Sequence, residues 1–255
     1  MSNVHLEQLR RAEIELVRDW FKPGMRVLEI GGGNGFQANI LSSWGCEVHS
    51  IDLPSEATEQ KRYYPVQDYD GKHIPVPSAG FDLVFSSNVL EHIQPVSDIL
   101  AETHRILKSD GMAVHILPTP SWRFWTSLTH YLFLVKHLVL MMRGPRRKEQ
   151  ELPVRNTIRK RGLGLVIKRA LFAGPHGEYP NALSELYFFS RNRWLELFQA
   201  SGFDPVMVAS NGLFYTGYDI FPSLPLTPRR RLARVLGSAC HIFVLRKASP
   251  RQSFD

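Results

Sequence analysis

Cysteine is nearly absent: the 255 residues include only Cys46 and Cys240. Two isolated thiols exclude a disulfide framework and make a reducing compartment the default. Neither stands in a metal-ligand spacing, so no metal is expected. An apolar leader is missing as well. Met1 to Trp20 is charged throughout, so no signal peptide is read there and a cytoplasmic location is expected. No internal repeat and no long low-complexity tract occurs, which excludes repeat architectures.

What remains is ordinary for a soluble α/β protein: 44% hydrophobic residues in a chain long enough to bury one substantial core. Charge is less ordinary. Lys and Arg number 31 against 24 acidic residues, a net charge of +7. The basic residues crowd into Arg143 to Lys148, Arg155 to Arg161, Lys168-Arg169 and Arg229 to Arg231, most of them in one long segment. A phosphate-rich partner or an anionic membrane surface fits that pattern, as does a plain basic surface.

The most informative stretch is Glu29-Ile30-Gly31-Gly32-Gly33-Asn34-Gly35. It follows the apolar run Met25-Arg26-Val27-Leu28 and precedes a predicted short helix over Phe36 to Trp44. Such a strand-to-helix turn lets backbone approach a ligand, because glycine has no Cβ and tolerates positive φ. Asp52 ends a second strand-like run, Glu47 to Asp52, at about the 20-residue spacing where dinucleotide folds place a ribose-binding acid. Phe81 to Asn88 reads as a third buried strand leading into Val89-Leu90-Glu91-His92-Ile93. A helix from Val96 to Leu107 ends at Lys108-Ser109-Asp110-Gly111, before a strand over Met112 to Leu117.

At these points the chain resembles the class I S-adenosylmethionine-dependent methyltransferases. Glu29-x-Gly31-x-Gly33-x-Gly35 matches their glycine motif. Phe81 to Val84 with Leu90-Glu91-His92 matches the strand-four motif, and Leu107 to Gly111 matches the turn before strand five. The resemblance covers roughly residues 20 to 117 and, more loosely, the C-terminal third. It implies a Rossmann-like, doubly wound, seven-stranded and mostly parallel sheet with helices on both faces. It also implies a single domain over 1–255: an N-terminal helix (1–24), a cofactor half (25–117), a helical substrate-side insertion after strand five (118–189), and a C-terminal helix and strand pair (190–255). The leading helix is expected over Val4 to Phe21, and edge and last strands over Phe203 to Ala209 and His241 to Leu245. About thirty residues separate those two strands, and they include three Pro-containing turns.

The implied cofactor is S-adenosyl-L-methionine. The resemblance puts Glu29 near the methionine amino group, Gly31, Gly32, Gly33 and Gly35 beneath methionine and ribose, and Asp52 on both ribose hydroxyls with Leu53 beside it. Asp68, next to Tyr69, is the expected partner of the adenine amine, with Asp70 in competition for that role. Ser87 or Asn88 would meet the methionine portion.

Acceptor chemistry is less constrained. Gly174-Pro175-His176-Gly177-Glu178-Tyr179-Pro180 presents a His and a Glu on a stiff loop, so His176 and Glu178 are candidates for deprotonating a hydroxyl. His92 is a catalytic candidate or a pocket-lining residue, and His115 reads as core or pocket wall. Leu128, Tyr131, Leu132, Val135, Leu138, Val139 and Met142 recur at helical spacing, in a stretch too short to span a bilayer comfortably. With Trp122 and Trp125 before it and the Arg143 to Lys148 cluster after, the segment 122–148 suits peripheral membrane contact. Packing over the domain or in a homodimer fits it too. An O-methyltransferase of a small-molecule, glycan or lipid-linked acceptor is the leading expectation. A nucleic-acid methyltransferase is disfavoured, since Ser87-Asn88-Val89-Leu90 stands where an Asn-Pro-Pro-Tyr-like tetrapeptide would. A catalytically silent relative is disfavoured by the run of glycines, for which no structural need is visible in the sequence.

Overall fold

The computed structural model describes residues 3–54, 62–142, 174–218 and 223–248. Seven strands form one sheet: β1 (Arg26–Ile30), β2 (Glu47–Asp52), β3 (Gln67–Asp68), β4 (Phe81–Ser87), β5 (Leu107–Pro118), β6 (Phe203–Ser210) and β7 (Cys240–Lys247). Their order is β3-β2-β1-β4-β5-β7-β6. The first five strands pair in parallel, while β7 runs antiparallel to both β5 and β6. The seven-stranded, mostly parallel sheet read from the sequence is therefore present, with β6 at its edge as expected.

Side chains alternate between two apolar layers because the strand period is two. Val27, Leu83, Phe85, Val114 and Ile116 face one layer, and Leu28, Val84, Ala113 and Leu117 the other. Helices α1 (Asn3–Glu15) and α2 (Phe36–Ser43) cover the first layer through Leu9, Ile14, Ile40 and Leu41. The second is covered by α3 (Val96–Ile106) and, after α4 (Pro120–Met142) and α5 (Ala182–Phe188), by α6 (Arg191–Ala200), whose Trp194 and Phe198 are fully buried. A parallel sheet needs such cover on both faces.

Two expectations need correction. The leading helix stops at Glu15 rather than Phe21, where bonds from Leu16 and Val17 back to the carbonyls of Glu13 and Ile14 tighten the last turn. A 3-10 turn over Arg18–Trp20 follows and delivers Phe21 to the core. Strand five begins at Leu107, not Met112: Phe81 pairs with Leu107 and Leu83 with Met112, so residues 108–111 bulge from the ladder instead of preceding it. The segment before β7, whose Pro-containing turns the sequence marked, also carries core and a helix. Leu213, Phe214 and Tyr215 are buried, and α7 (Leu226–Leu236) follows.

Strand order reverses between β1 and β4, and open α/β sheets bind ligands outside the carboxyl ends of the strands at such a switch point. The glycine loop after β1 and Ser87-Asn88 after β4 both lie there.

Candidate active site

The glycine loop is shaped partly by the protein's own packing. A Cβ on Gly31 would strike Val89, one on Gly32 would strike Ser50 Oγ and Glu29 Oε2, and one on Gly35 would meet the Tyr64 backbone. These three glycines therefore have a structural need that the sequence concealed, and the inference against a catalytically silent relative loses that support. Gly33 differs. It adopts φ +55°, and nothing among the described residues lies within 4 Å of where its Cβ would stand. Its N–H donates to Asp52 Oδ2 at 2.7 Å, while the Leu53 N–H donates to Asp52 Oδ1 at 2.7 Å. Each Asp52 oxygen so bound keeps a second lone pair for a vicinal diol. An open face at Gly33 beside such a carboxylate fits the ribose of S-adenosyl-L-methionine.

Glu29 sits behind this loop, 2% exposed, and accepts a 2.6 Å bond from Ser50 Oγ. Burial pushes its pKa up to about 7. Placed behind Gly32, it can reach a ligand only indirectly. Asp68 stands in register with Asp52 on the exposed edge strand, whereas Tyr69 is buried. Asp70 accepts the N–H groups of Lys72 and His73, both at 2.7 Å, and so closes its own turn. The competition between Asp68 and Asp70 is thereby weighted toward Asp68. Leu53 is 53% exposed beside Asp52, an apolar surface at the mouth of the cleft.

Asn88 follows β4 at φ +55°. Its N–H donates to the Ile116 carbonyl at 2.8 Å and its amide lies 3.3 Å from Ser87 Oγ. Asn88 also lines a cavity of about 410 Å³, whose walls include Leu6 and Arg10 of α1, Trp122, Arg123 and Thr126 of α4, His176, and Tyr215 and Tyr218. A larger cavity of about 490 Å³ opens by Arg26, Glu47 and Phe81, at the amino ends of the strands and away from the glycine loop. The Asn88 cavity is therefore the acceptor candidate.

His176 enters that cavity on a tightly fastened loop. Its N–H and that of Gly177 both donate to Glu185 Oε1 at 2.6 Å, and the Glu178 N–H donates to the Glu91 carbonyl at 3.0 Å. A Cβ on Gly177 would fall on that same Glu91 carbonyl, so the close approach demands glycine. The imidazole packs edge to face against Trp122 and His92, with centroids 4.6 and 4.7 Å away. Burial, reinforced by His92, Arg123 and Arg10, lowers the His176 pKa to about 3. Burial also lowers that of His92. Between the two imidazoles lies Glu91, fully buried, whose pKa burial raises to about 8.

The structure thus joins His92 and His176 but leaves the Glu178 side chain exposed beside them, where its charge raises the pKa of His92. His115 is core: it is fully buried, bonded to Ser86 Oγ at 2.8 Å and stacked on Phe198. Sequence reading missed Arg10, Glu13, Arg123, Glu185 and Tyr215. Glu13, fully buried, accepts from Tyr215 Oη at 2.6 Å and Asn211 Nδ2 at 2.9 Å, which ties α1 to the cavity wall. Only the apolar spacing around Glu13 hinted at its burial.

Trp122 and Trp125 do not point outward as membrane anchors would. Trp122 is 6% exposed, and Trp125 Nε1 donates to the Leu236 carbonyl at 2.8 Å. Arg229 is likewise no surface charge. It is buried and donates to the carbonyls of Leu224 and Phe214. The clusters at 143–148, 155–161 and 168–169 lie outside the described residues. No helix among the described residues is long and apolar enough to cross a membrane.

Comparison with known proteins agrees with this geometry. A family profile described as a methyltransferase domain matches residues 4–208. The chain is 30% identical to a malonyl-[acyl-carrier protein] O-methyltransferase of Enterobacter lignolyticus, covering 41% of this chain and 43% of that protein. It is 27% identical to a ubiquinone biosynthesis O-methyltransferase of Burkholderia thailandensis, covering 51% and 55%. It therefore spans about half the length of the curated relatives it matches. Among solved structures, a 1,6-didemethyltoxoflavin-N1-methyltransferase of Burkholderia thailandensis, with that compound and S-adenosylhomocysteine bound, superposes with a TM-score of 0.52 at 15% identity. That match covers 94% of this chain and 78% of the other, and it speaks for the fold alone.

Proposed function

The chain belongs to the S-adenosylmethionine-dependent methyltransferases of class I, and from that premise we propose that it methylates a hydroxyl oxygen of an amphiphilic small-molecule, glycan or lipid-linked acceptor. The observation carrying this reading is the adjacency at Asn88, which closes β4 beside the glycine loop and also lines the 410 Å³ cavity with His176. S-adenosyl-L-methionine supplies an electrophilic methyl on a sulfonium. In the reaction a bond forms from the acceptor oxygen to that carbon, the carbon–sulfur bond breaks with its electron pair staying on sulfur, and the hydroxyl proton leaves.

The residues divide the work accordingly. Asp52 holds the ribose, Asp68 takes the adenine amine, and Gly31, Gly32, Gly33 and Gly35 carry the backbone under the donor, with Leu53 and Tyr69 flanking it. Glu29 steadies the loop from behind, and Ser87 and Asn88 position the methionine end. Trp122, Tyr215 and Tyr218 supply apolar cavity wall, which excludes water. His92 and His176, closed over Glu91, form the polar end that an acceptor hydroxyl would meet, with Glu178 at its rim. Alignment of oxygen, carbon and sulfur by such a cavity supplies much of the rate.

Oxygen is preferred to nitrogen because the two curated relatives are both O-methyltransferases. The exposed apolar stripe on α4, Phe124 through Val135, adds a surface for an acceptor's lipid portion or an anionic membrane. The test is release of S-adenosylhomocysteine from purified protein across paired hydroxyl and amine acceptors carrying aliphatic chains of graded length. Product from hydroxyl compounds that rises with chain length is expected. Product from amines alone overturns the assignment of oxygen, and donor binding without product from any acceptor favours a silent relative.

A further inference from the structure

Glu91 carries a contradiction that the methyl-transfer reading leaves standing. Its side chain is fully buried, yet neither carboxylate oxygen has a hydrogen-bond partner among the described residues. Buried carboxylates are paired, hydrogen-bonded or metal-bound, because isolation from water is costly. Two imidazole nitrogens stand over it instead. His92 Nε2 is 3.8 Å from Glu91 Oε1, and His176 Nε2 is 3.9 Å from the same oxygen. All three atoms lie within 4.8 Å of one another.

We propose that Glu91, His92 and His176 bind a divalent transition-metal cation, zinc before others, behind the stretch of acceptor-cavity wall that His176 forms. A tetrahedral zinc ion with bonds near 2.1 Å sets its ligand atoms about 3.4 Å apart. The carboxylate-to-imidazole gaps of 3.8 and 3.9 Å need to close by about half an ångström to meet that requirement, and the two imidazoles, whose ligand atoms lie within 4.8 Å of each other, must draw together as well. Two imidazoles and one carboxylate suit zinc, iron, cobalt or nickel and exclude magnesium and calcium, which take oxygen ligands. Three protein ligands also leave a coordination position free, the arrangement of reactive rather than structural zinc.

One further feature agrees. The ligands are held in place without any ion, since the His176 loop is fastened to Glu185 and to the Glu91 carbonyl. A site built this way loses little entropy on binding. The nearby cations are each paired, Arg10 with Glu13 at 2.7 Å and Arg123 with Glu185 at 2.9 Å, which reduces without cancelling their repulsion of a third positive charge at His176. An ionised Glu91 then leaves the cluster one negative charge short of neutral. Sequence spacing could not show this site, as Glu91 and His92 are adjacent and His176 lies on a distant loop, which is why no metal was expected. A cation here would polarise an acceptor hydroxyl and ease loss of its proton. That consequence rests on the acceptor reading of the cavity; the binding itself does not.

The experiment uses the full chain, stripped with chelator and free of donor and acceptor. It is titrated with Zn²⁺ by calorimetry and with Co²⁺ by visible absorption. One equivalent with a tetrahedral cobalt spectrum is expected, and His176→Ala and His92→Ala should each weaken binding at least tenfold. His73→Ala, which alters an exposed imidazole elsewhere, should change nothing. Absence of stoichiometric binding, or binding untouched by the His92→Ala/His176→Ala pair, overturns the proposal and leaves Glu91 as a carboxyl kept protonated by burial. If Glu91→Gln fails to fold, the two histidine variants still decide, because both side chains are partly exposed. Metal binding without turnover on any acceptor would refute the methyl-transfer reading and spare this one.

Discussion

Arg123 Nε lies 2.9 Å from Glu185 Oε2, with the two side chains 2% and 0% exposed. The other Glu185 oxygen takes both backbone N–H groups of the His176 loop, so one ion pair clamps α4, α5 and that loop together. Removing one partner of a buried pair strands the other charge, at a cost of about 3–5 kcal/mol. Arg123→Met should therefore lower the unfolding free energy, measured by denaturant titration, by about 3–5 kcal/mol. Arg123→Met with Glu185→Gln should recover much of it, because Gln strands no charge and keeps an oxygen to accept the His176 and Gly177 N–H groups. A single variant within about 0.5 kcal/mol of the parent would show the clamp to be idle, since substitutions away from stabilising features fall in that range.

The glycine loop yields opposite outcomes at neighbouring positions. Gly33→Ala places a methyl in the open cleft at φ +55°, at a strain of about 1–2 kcal/mol. It should cut S-adenosylhomocysteine affinity at least tenfold by calorimetry. Gly32→Ala instead drives a methyl into the Glu29–Ser50 pair and should lower the melting temperature first. Asp52→Ala should weaken the same binding by about 1–3 kcal/mol, the scale for losing hydrogen bonds to a charged group. Unchanged affinity in Asp52→Ala would end its ribose role.

The sheet was legible because its strands are short apolar runs ended by glycine or acid, signals that local sequence carries. Asp52 and the Gly31 to Gly35 loop lie within one strand-turn-helix-strand unit, so their meeting is a short-range event. The acceptor side is the reverse. Glu13 meets Tyr215 across 202 residues of chain, and Arg123 on α4 meets Glu185 on α5, so neither contact is a local one. Trp122 and Trp125 show the same limit. The sequence reading set them before the apolar helix as interface aromatics, whereas the helix begins at Pro120 and both turn inward. No sequence period marks His92 and His176 as neighbours.

Glu29 should leave a signature in the pH dependence of stability. Burial raises its pKa to about 7 in the folded chain, from 4.5. The folded state therefore binds the extra proton between those values, and stability contributed by Glu29 is full below about pH 4.5 and is lost as pH rises through about 7. A shift of that size corresponds to roughly 3 to 3.5 kcal/mol. Glu29→Gln keeps a neutral group bonded to Ser50 Oγ, so its unfolding free energy minus that of the parent should rise with pH over this window. A flat difference curve would mean that Glu29 titrates normally.

The exposed face of α4 predicts where the protein goes. Phe124, Leu128, Tyr131, Leu132 and Val135 are between 46% and 59% exposed and recur at helical spacing. Contiguous apolar surface of this kind marks an interaction site. Arg143, Arg146, Arg147 and Lys148 follow in the sequence, and the net charge is +7, so an anionic bilayer complements both features. Vesicles rich in phosphatidylserine should sediment the protein at low salt. Release should follow as ionic strength shortens the screening length from about 30 Å at 0.01 M to about 8 Å at 0.15 M. Leu128→Asp with Leu132→Asp should abolish binding while leaving the melting temperature unchanged, because neither side chain is in the core. Protein that stays in the supernatant at low salt, yet dissociates from dimer to monomer in light scattering on the same pair of changes, would assign the stripe to a second copy of the chain.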